Sequence, residues 1–318
     1  MNKPSSATAL QYVLGVDVGG TKVAAGVVAF PTGEVIRKRV IATLPKRGAS
    51  EILKDVAILA ADLAEEALGF GIKIGSVGIA VAELVDAQGG ITSSQTIPWC
   101  GLPIAQAFSH LGPVAVESDV RAGALAEALF GAGRPFSLFA YVTVGTGISY
   151  CLVQDQVPFA GARGNALICA SAALTVTCPN CRAVVNEVLE EIASGPALVI
   201  RYNERLHGGN ATRAEDVLAR AASGDPVAAE LVGQGGRALG NTVAFLVNVL
   251  DPEAIVVGGG LGLARGLYWS AFEKATREHI WSDADRELMI LRATLGLDSC
   301  LIGAAAVAWK RTGGSSLL

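Results

Sequence analysis

Apolar positions run almost unbroken through residues 12–18, which predicts a strand ending in Asp17 and the turn Gly19-Gly20. A second apolar run at 21–28 follows at hairpin spacing, and Pro31-Thr32-Gly33 supplies the next turn. Ser50 reads as the cap of a helix, because Ile52, Leu53, Val56, Leu59, Leu63 and Leu68 then recur at helical spacing. Short buried strands are expected at 77–82 and 114–116, with a short helix at 104–111. Residues 119–130 form an Ala- and Leu-rich helical pattern closed by Gly131-Ala132-Gly133.

The second half of the chain repeats the opening. Residues 138–144 predict a strand that turns through Gly145-Thr146-Gly147 into another at 148–153. Helices are expected at 186–202, after a capping box Thr212…Glu215, and from Asp225-Pro226 to Leu250. A buried strand at 255–257 ends in Gly258-Gly259-Gly260, the last strand spans 288–295 and the last helix 300–309. Two hairpin-led α/β halves predict an N-terminal domain of residues 1–133 and a larger C-terminal one of 134–318. The final helix, about 300–313, is expected to return to the first domain, and a nucleotide cleft to lie between the two.

Composition narrows the classes. A chain of 318 residues, 51% hydrophobic and 17% charged, is neither disordered nor fibrous and is long enough for two domains. The net charge of −4, without any basic cluster, argues against nucleic acid as a partner. Two stretches lack charge, between Arg134 and Asp155 and over 164–181. Their glycines and hydroxyl residues fit buried strands better than a membrane span. The first 11 residues hold no apolar segment of the secretory kind, and six unevenly spaced cysteines describe no disulfide framework. A reducing cytoplasm is the expected location.

The glycine turns carry the candidate chemistry. Asp17-Val18-Gly19-Gly20-Thr21-Lys22 sets a carboxylate at a strand end beside two glycines and a hydroxyl. Glycine lets backbone N–H groups approach phosphate oxygens, and the carboxylate of Asp17 can hold Mg²⁺ through water. One such turn alone reads better as a plain β-hairpin turn with a capping Asp. Thr143, Gly145, Thr146 and Gly147 repeat the device in the other half, and Gly258, Gly259 and Gly260 form a third turn, which together point to nucleotide binding. Neither the P-loop nor the dinucleotide fingerprint occurs at these strand ends. Phosphoryl transfer also needs a group that deprotonates the attacking hydroxyl, and Asp119, at a strand end opening a helix, is placed for it. Spacing alone leaves open whether Asp119 is that base or only a helix cap.

These segments, together with Glu117-Ser118-Asp119, Phe130-Gly131-Ala132-Gly133, Ala193-Ser194-Gly195 and Leu250-Asp251-Pro252-Glu253 leading to Gly260, resemble the ROK family (repressors, open reading frames, kinases) over residues 12–310. The resemblance implies a two-domain actin-like or hexokinase-like ATPase fold with ribonuclease H-like halves and an interdomain cleft. It implies a kinase that uses ATP and Mg²⁺ on a hexose-like acceptor, commonly at O6, and often a homodimer. It assigns Asp119 as the base, the glycine turns with Lys22 and Thr21 to the phosphates, and the adenosine to the vicinity of Gly258–Gly260. The helix-turn-helix domain of ROK repressors has no counterpart in the 11 residues before the first strand, which argues against a repressor.

The departures gather on the acceptor side. Asn165 and Ile168 stand where the family has the Glu and His of Glu-x-Gly-His; Glu83 replaces the Gly of a Pro-Gly, Gln95 an Asn, and Ser118 the Asn before the base. Glu190 matches the family's sugar-contacting Glu. The zinc pattern is broken: Cys169, Cys178 and Cys181 remain, Val188 replaces the last Cys, and no structural zinc is expected. Glu83, Gln95, Ser118, Asp119, Asn165 and Glu190 are thus the candidate acceptor residues. A kept phosphate side and a rewritten acceptor side predict a working kinase with an unusual acceptor, such as an amino-hexose or a cyclitol. Ordinary glucokinase activity and a non-catalytic nucleotide or sugar sensor are the alternatives.

Overall fold

A computed structural model describes residues 10–99, 101–172, 174–177, 180–182 and 184–313. Strands β1 (Gln11–Val18), β2 (Lys22–Phe30) and β3 (Glu34–Ala42) come first as an antiparallel meander. Helix α1 (Ala49–Gly69) leads to β4 (Ile74–Val81), parallel to β1; the short α2 (Ile104–Ala107) leads to β5 (Val114–Ser118), parallel to β4. Helix α3 (Asp119–Phe130) follows β5 directly. A second meander comprises β6 (Leu138–Val144), β7 (Ile148–Gln154) and the short β8 (Val157–Pro158). After it come a small hairpin, β9 (Leu174–Thr177) with β10 (Val184–Glu187), and helices α4 (Leu189–Ala193), α5 (Gly195–Arg205), α6 (Ala214–Ala222) and α7 (Pro226–Leu250). Strand β11 (Ala254–Gly258), helix α8 (Leu267–His279), strand β12 (Met289–Arg292) and helix α9 (Ser299–Arg311) complete the described chain.

These elements form two compact units. The first holds Met1–Ala126, Ala162–Gly164 and Asp298–Leu318; the second holds Glu127–Gly161 and Asn165–Leu297. Their sheets share one topology, β3-β2-β1-β4-β5 in the first and β8-β7-β6-β11-β12 in the second. Each has a hairpin-led strand at its centre, antiparallel partners on one side and parallel strands on the other. The repeat legible in the sequence is therefore a repeat of architecture.

In the first unit the strand period of two divides the sheet into two faces. Leu14, Val16 and Val18 of β1 join Val77, Ile79 and Val81 of β4 in a core with Ile52, Val56, Leu59 and Leu63 of α1. The alternate positions, Gly15 and Gly78, face α9 so closely that a Cβ at Gly78 would lie 1.7 Å from the Ala304 carbonyl oxygen. That approach needs glycine on the strand and alanine on the helix, which explains the run Ala304-Ala305-Ala306, all buried. Trp309 closes the far end of α9 by stacking on Phe30 at 4.6 Å and donating to Gln11 at 2.8 Å. Asp17 shares the face of Gly15 and Gly78 by the same alternation.

Several expected elements differ from those found. Ser50 lies inside α1; the N-cap is Gly48, whose φ of 88° suits glycine. The helix expected at 186–202 is broken, because β10 runs to Glu187 and α4 stops at Ser194. The Ser194 hydroxyl instead accepts from the Ala197 amide and starts α5 afresh, with Pro196 in its first turn. At α6 the N-cap is Arg213, and the carboxylate that reaches back is Asp216, not Glu215; it accepts from the amides of Thr212 and Arg213. Of the uncharged stretch 164–181, Leu174–Thr177 is strand, while 161–172 is irregular. Strand β3 has no apolar alternation to announce it, since it is a sheet edge bearing Arg37, Lys38 and Arg39 outward.

Candidate active site

Register brings the first unit's candidate residues to one sheet edge. Asp17 pairs with Ala24 on one side and Ala80 on the other, and Ala80 pairs with Glu117. The carboxyl ends of three neighbouring parallel strands thus deliver the Asp17–Lys22 turn from β1, Ala82-Glu83 from β4 and Ser118-Asp119 from β5. Ligands of open α/β sheets gather at such ends.

The Asp17–Lys22 turn is a tight hairpin in which the Gly19 amide donates to the Lys22 carbonyl at 3.1 Å. Thr43, buried at the end of β3, fastens it: the Thr43 hydroxyl donates to the Gly19 carbonyl at 2.7 Å and its amide to the Thr21 carbonyl at 3.1 Å. Thr21 and Lys22 stay exposed. A Cβ at Gly20 would come within 2.7 Å of Thr96 Cγ2, so the turn and the 93–97 segment touch there.

Burial pushes the Asp17 carboxyl up to about 7, helped by the negative charge of Asp119, while Lys22 pulls the other way. Asp119 is the first residue of α3, and its Oδ1 accepts from the Val120 amide at 2.7 Å. Burial raises this carboxyl to about 6; the Val120 hydrogen bond opposes the shift, and the charge of Glu83 adds to it. Among the described residues the neighbouring buried Ser118 hydroxyl has no hydrogen-bond partner. Gln95 is exposed on the 93–97 turn. Glu83 is buried, with its carboxylate turned into that same turn.

In the second unit the Thr143–Gly147 and Gly258–Gly260 turns leave neighbouring parallel strands, with Gly258 paired to Thr143. The Val144 carbonyl accepts from the amides of Leu261 and Gly262, both at 3.0 Å, which ties the two turns together. Gly259 has φ 81°, and a Cβ there would lie 2.4 Å from the Val144 oxygen. Thr146, Gly147 and Gly260 are exposed. Glu190 lies under the first turn: Oε1 accepts from the Ile148 amide at 2.7 Å, and Oε2 from the Ser171 hydroxyl at 2.9 Å. Asn165 and Ile168 are exposed on the irregular segment after β8.

Two residues of this construction escape the sequence reading. Thr43 gives no local signal, since its partners lie more than 20 residues away. Arg121 is buried; it donates to Glu117 through Nε at 2.8 Å, to the Gly164 carbonyl at 2.7 Å and to the Val85 carbonyl at 2.6 Å. Its signal was an arginine four residues after a glutamate in an otherwise Ala- and Leu-rich helix.

The sequence model of the ROK family matches residues 13–311. The chain belongs to the ROK family. Among ROK relatives, the glucokinase of Thermotoga maritima is 26% identical over 95% of this chain and 98% of its own. The kanosamine kinase of Amycolatopsis mediterranei is 30% identical over 78% of this chain and 80% of its own. A ROK glucokinase from Streptomyces griseus, solved with glucose and AMPPNP, superposes with a TM-score of 0.81 at 29% identity, over 95% of this chain and all of that one. The expected actin-like ATPase fold is the one found.

As for metals, the single carboxylate of Asp17 beside a glycine turn fits Mg²⁺, an ion that keeps several waters and takes other oxygens from phosphates. Among the described residues no three His, Cys, Asp or Glu side chains are grouped to hold a metal by themselves. Cys178, one of the three candidate zinc thiols, lies outside the described residues. No described helix is long and apolar enough to cross a membrane.

Proposed function

We propose that this ROK protein is an ATP-dependent kinase that moves the γ-phosphoryl group to a hydroxyl, of the primary O6 kind, on a hexose-like acceptor such as an amino-hexose or a cyclitol. Phosphorylation of a sugar with ATP follows from its relatives, which include a glucokinase, a kanosamine kinase and an N-acetylmannosamine kinase. One observation carries the catalytic reading: Asp119 stands at the carboxyl end of β5, level with the Asp17 turn, with a carboxyl held near 6. Such a group is ionised at neutral pH and still basic enough to take a proton.

In this reading Asp119 accepts the proton of the attacking hydroxyl as the new O–P bond forms. Backbone N–H groups of Gly20 and Gly147, in turns closed by the Gly19 and Gly145 amides, and the hydroxyls of Thr21, Thr143 and Thr146 with the Lys22 ammonium hold phosphate oxygens. The Gly258–Gly260 turn takes the adenosine side. Mg²⁺ bound with ATP would draw charge from the phosphates, and Asp17 would hold it through water. Gln95, Ser118, Asn165 and Glu190 bond the acceptor. Ser118 supports that role as a buried hydroxyl with no hydrogen-bond partner among the described residues. The same reading makes the protein a cytoplasmic homodimer.

The unusual acceptor follows from Asn165 and Ile168, a neutral amide and an alkyl group in place of a carboxylate and an imidazole. A polar pocket discriminates sharply against ligands that leave its groups unpaired. ADP release from Mg-ATP, measured over glucose, mannose, free and acetylated amino-hexoses and cyclitols, tests this. The expected result is the highest kcat/KM on an acceptor other than glucose. Glucose as best acceptor would restore ordinary glucokinase activity, which the glucokinase relatives favour. Silence across the panel, with nucleotide bound, would replace the kinase by a sensor.

A further inference from the structure

Glu83 follows β4 at the edge that bears the candidate active site, and it is 6% exposed. A buried carboxylate in such a place would ordinarily be read as a ligand for substrate. Its surroundings say otherwise. The Ser93 hydroxyl donates to Oε2, as does the Gln95 amide at 2.9 Å; the amides of Thr96 and Ile97 donate to Oε1 at 2.6 and 2.9 Å. A carboxylate offers about four lone-pair positions, and these donors take them up. Three successive backbone N–H groups converging on one point form a nest, a device that elsewhere captures anions from solution. Here the chain supplies the anion itself.

We propose that Glu83 is a positioning residue: it fills the amide nest of the 93–97 turn and so fixes how that turn presents Gln95 to the acceptor. The inference rests on the kinase reading for what the turn binds, but the clamp is geometry. Its consequences run two ways. Gln95 emerges exposed from a backbone whose own N–H is spent on Glu83, so the clamp sets the direction of its Cα–Cβ bond. Thr96, held through its amide, donates its hydroxyl to the Ala82 carbonyl at 3.2 Å and sets its methyl against Gly20 of the phosphate turn. Glu83 also faces Asp119 closely enough for its charge to act on that carboxyl. Neither effect requires Glu83 to touch a ligand.

The amide of Glu83→Gln keeps one accepting oxygen and turns an NH₂ group toward N–H donors, so half the nest is lost at nearly constant volume. Full-length E83Q, compared with wild type in thermal unfolding, ADP-release kinetics and amide hydrogen exchange, tests the proposal. The expected result is an acceptor KM raised about tenfold, a Mg-ATP KM raised by less than about threefold, and exchange at 95–97 accelerated about tenfold, with α1 and α9 unchanged. Ser93→Ala removes one donor and leaves the amides, so a smaller rise in acceptor KM is expected, of about threefold. An unchanged acceptor KM in a folded E83Q, an equal rise in both KM values, or unchanged exchange at 95–97 would each overturn it. If wild type turns over no acceptor, the kinase reading fails on its own; exchange at 95–97 then decides the clamp alone, faster in E83Q supporting it and unchanged refuting it.

Discussion

At Asp119 a single environment fixes both reactivity and stability. Burial raises the carboxyl to about 6, so below that pH it is protonated and cannot accept the hydroxyl proton. The acceptor kcat/KM is therefore expected to fall about tenfold per pH unit below 6 and to level off above it, in a pH series at saturating Mg-ATP. Asp119→Asn should bind Mg-ATP as wild type does and lose about 10²–10⁴ in turnover; equal turnover by this variant would remove Asp119 from the chemistry. Stability runs the opposite way. A carboxyl raised from the ordinary 3.8 favours its protonated form in the fold, so its contribution is full below 3.8 and lost as pH rises through about 6. Ligand-free protein should thus lose stability over that window in denaturant titrations, with Asp17 extending the loss to about 7, and Asp119→Asn should reduce it without abolishing it. If Asp119 is the base, its reactivity near neutral pH is held at some expense of folding energy.

Among the elements, α7 carries the largest conflict between local preference and packing. Its 25 residues include Gly233, Gly235, Gly236 and Gly240, each less favourable than alanine in a helix by roughly 1 kcal/mol. The reason is α8. A Cβ at Gly236 would lie 2.4 Å from the Tyr268 carbonyl oxygen, and one at Gly240 2.5 Å from that of Phe272. Gly236→Ala should therefore destabilise by about 1–3 kcal/mol by urea unfolding, although the same change in a free helix would stabilise. If it stabilises, the two helices do not cross as closely as found. In α3 the opposing case is Arg121, a charged residue inside a buried face. Its guanidinium holds Glu117 and the carbonyls of Val85 and Gly164, so Arg121→Ala should cost about 3 kcal/mol by leaving those groups unpaired.

For the whole molecule, two sheets of one topology each present glycine turns at the carboxyl ends of their parallel strands. A non-hydrolysable ATP analogue with Mg²⁺ at a hundred times its Kd should stabilise the fold by about 2.7 kcal/mol, read as a rise in Tm. Absence of any shift would remove nucleotide from the reading while leaving the fold untouched. The segment expected to match the ROK zinc pattern holds a hairpin, β9 with β10, preceded by Ile168 and followed by Val188. Elemental analysis of the purified protein is expected to find no stoichiometric zinc. One zinc per chain would mean that the thiols of Cys169, Cys178 and Cys181 bind it after all.

The sequence alone determined whatever depends on near neighbours. Helix α3 begins at Asp119 and ends at Phe130 as its pattern and closing glycines require, and α7 runs from the Asp225 cap to Leu250. The glycine turns, the duplicated hairpins and the membership of the ROK family were likewise written in short segments. The caps expected at Ser50 and Thr212…Glu215 fall instead to Gly48, whose φ of 88° turns the chain into α1, and to Arg213 with Asp216, each one residue further on. Tertiary structure decided what distant chain supplies. Thr43 became a fastener of the Asp17–Lys22 turn because β3 ends beside Gly19, and Arg121 became a tether because Val85 and Gly164 arrive at its guanidinium. The Glu83 carboxylate took the amides of 95–97 as partners, because that turn brings three convergent N–H groups to it. A capping or turn preference is fixed within a few residues, whereas a buried charge takes its role from whichever partners the fold brings to it.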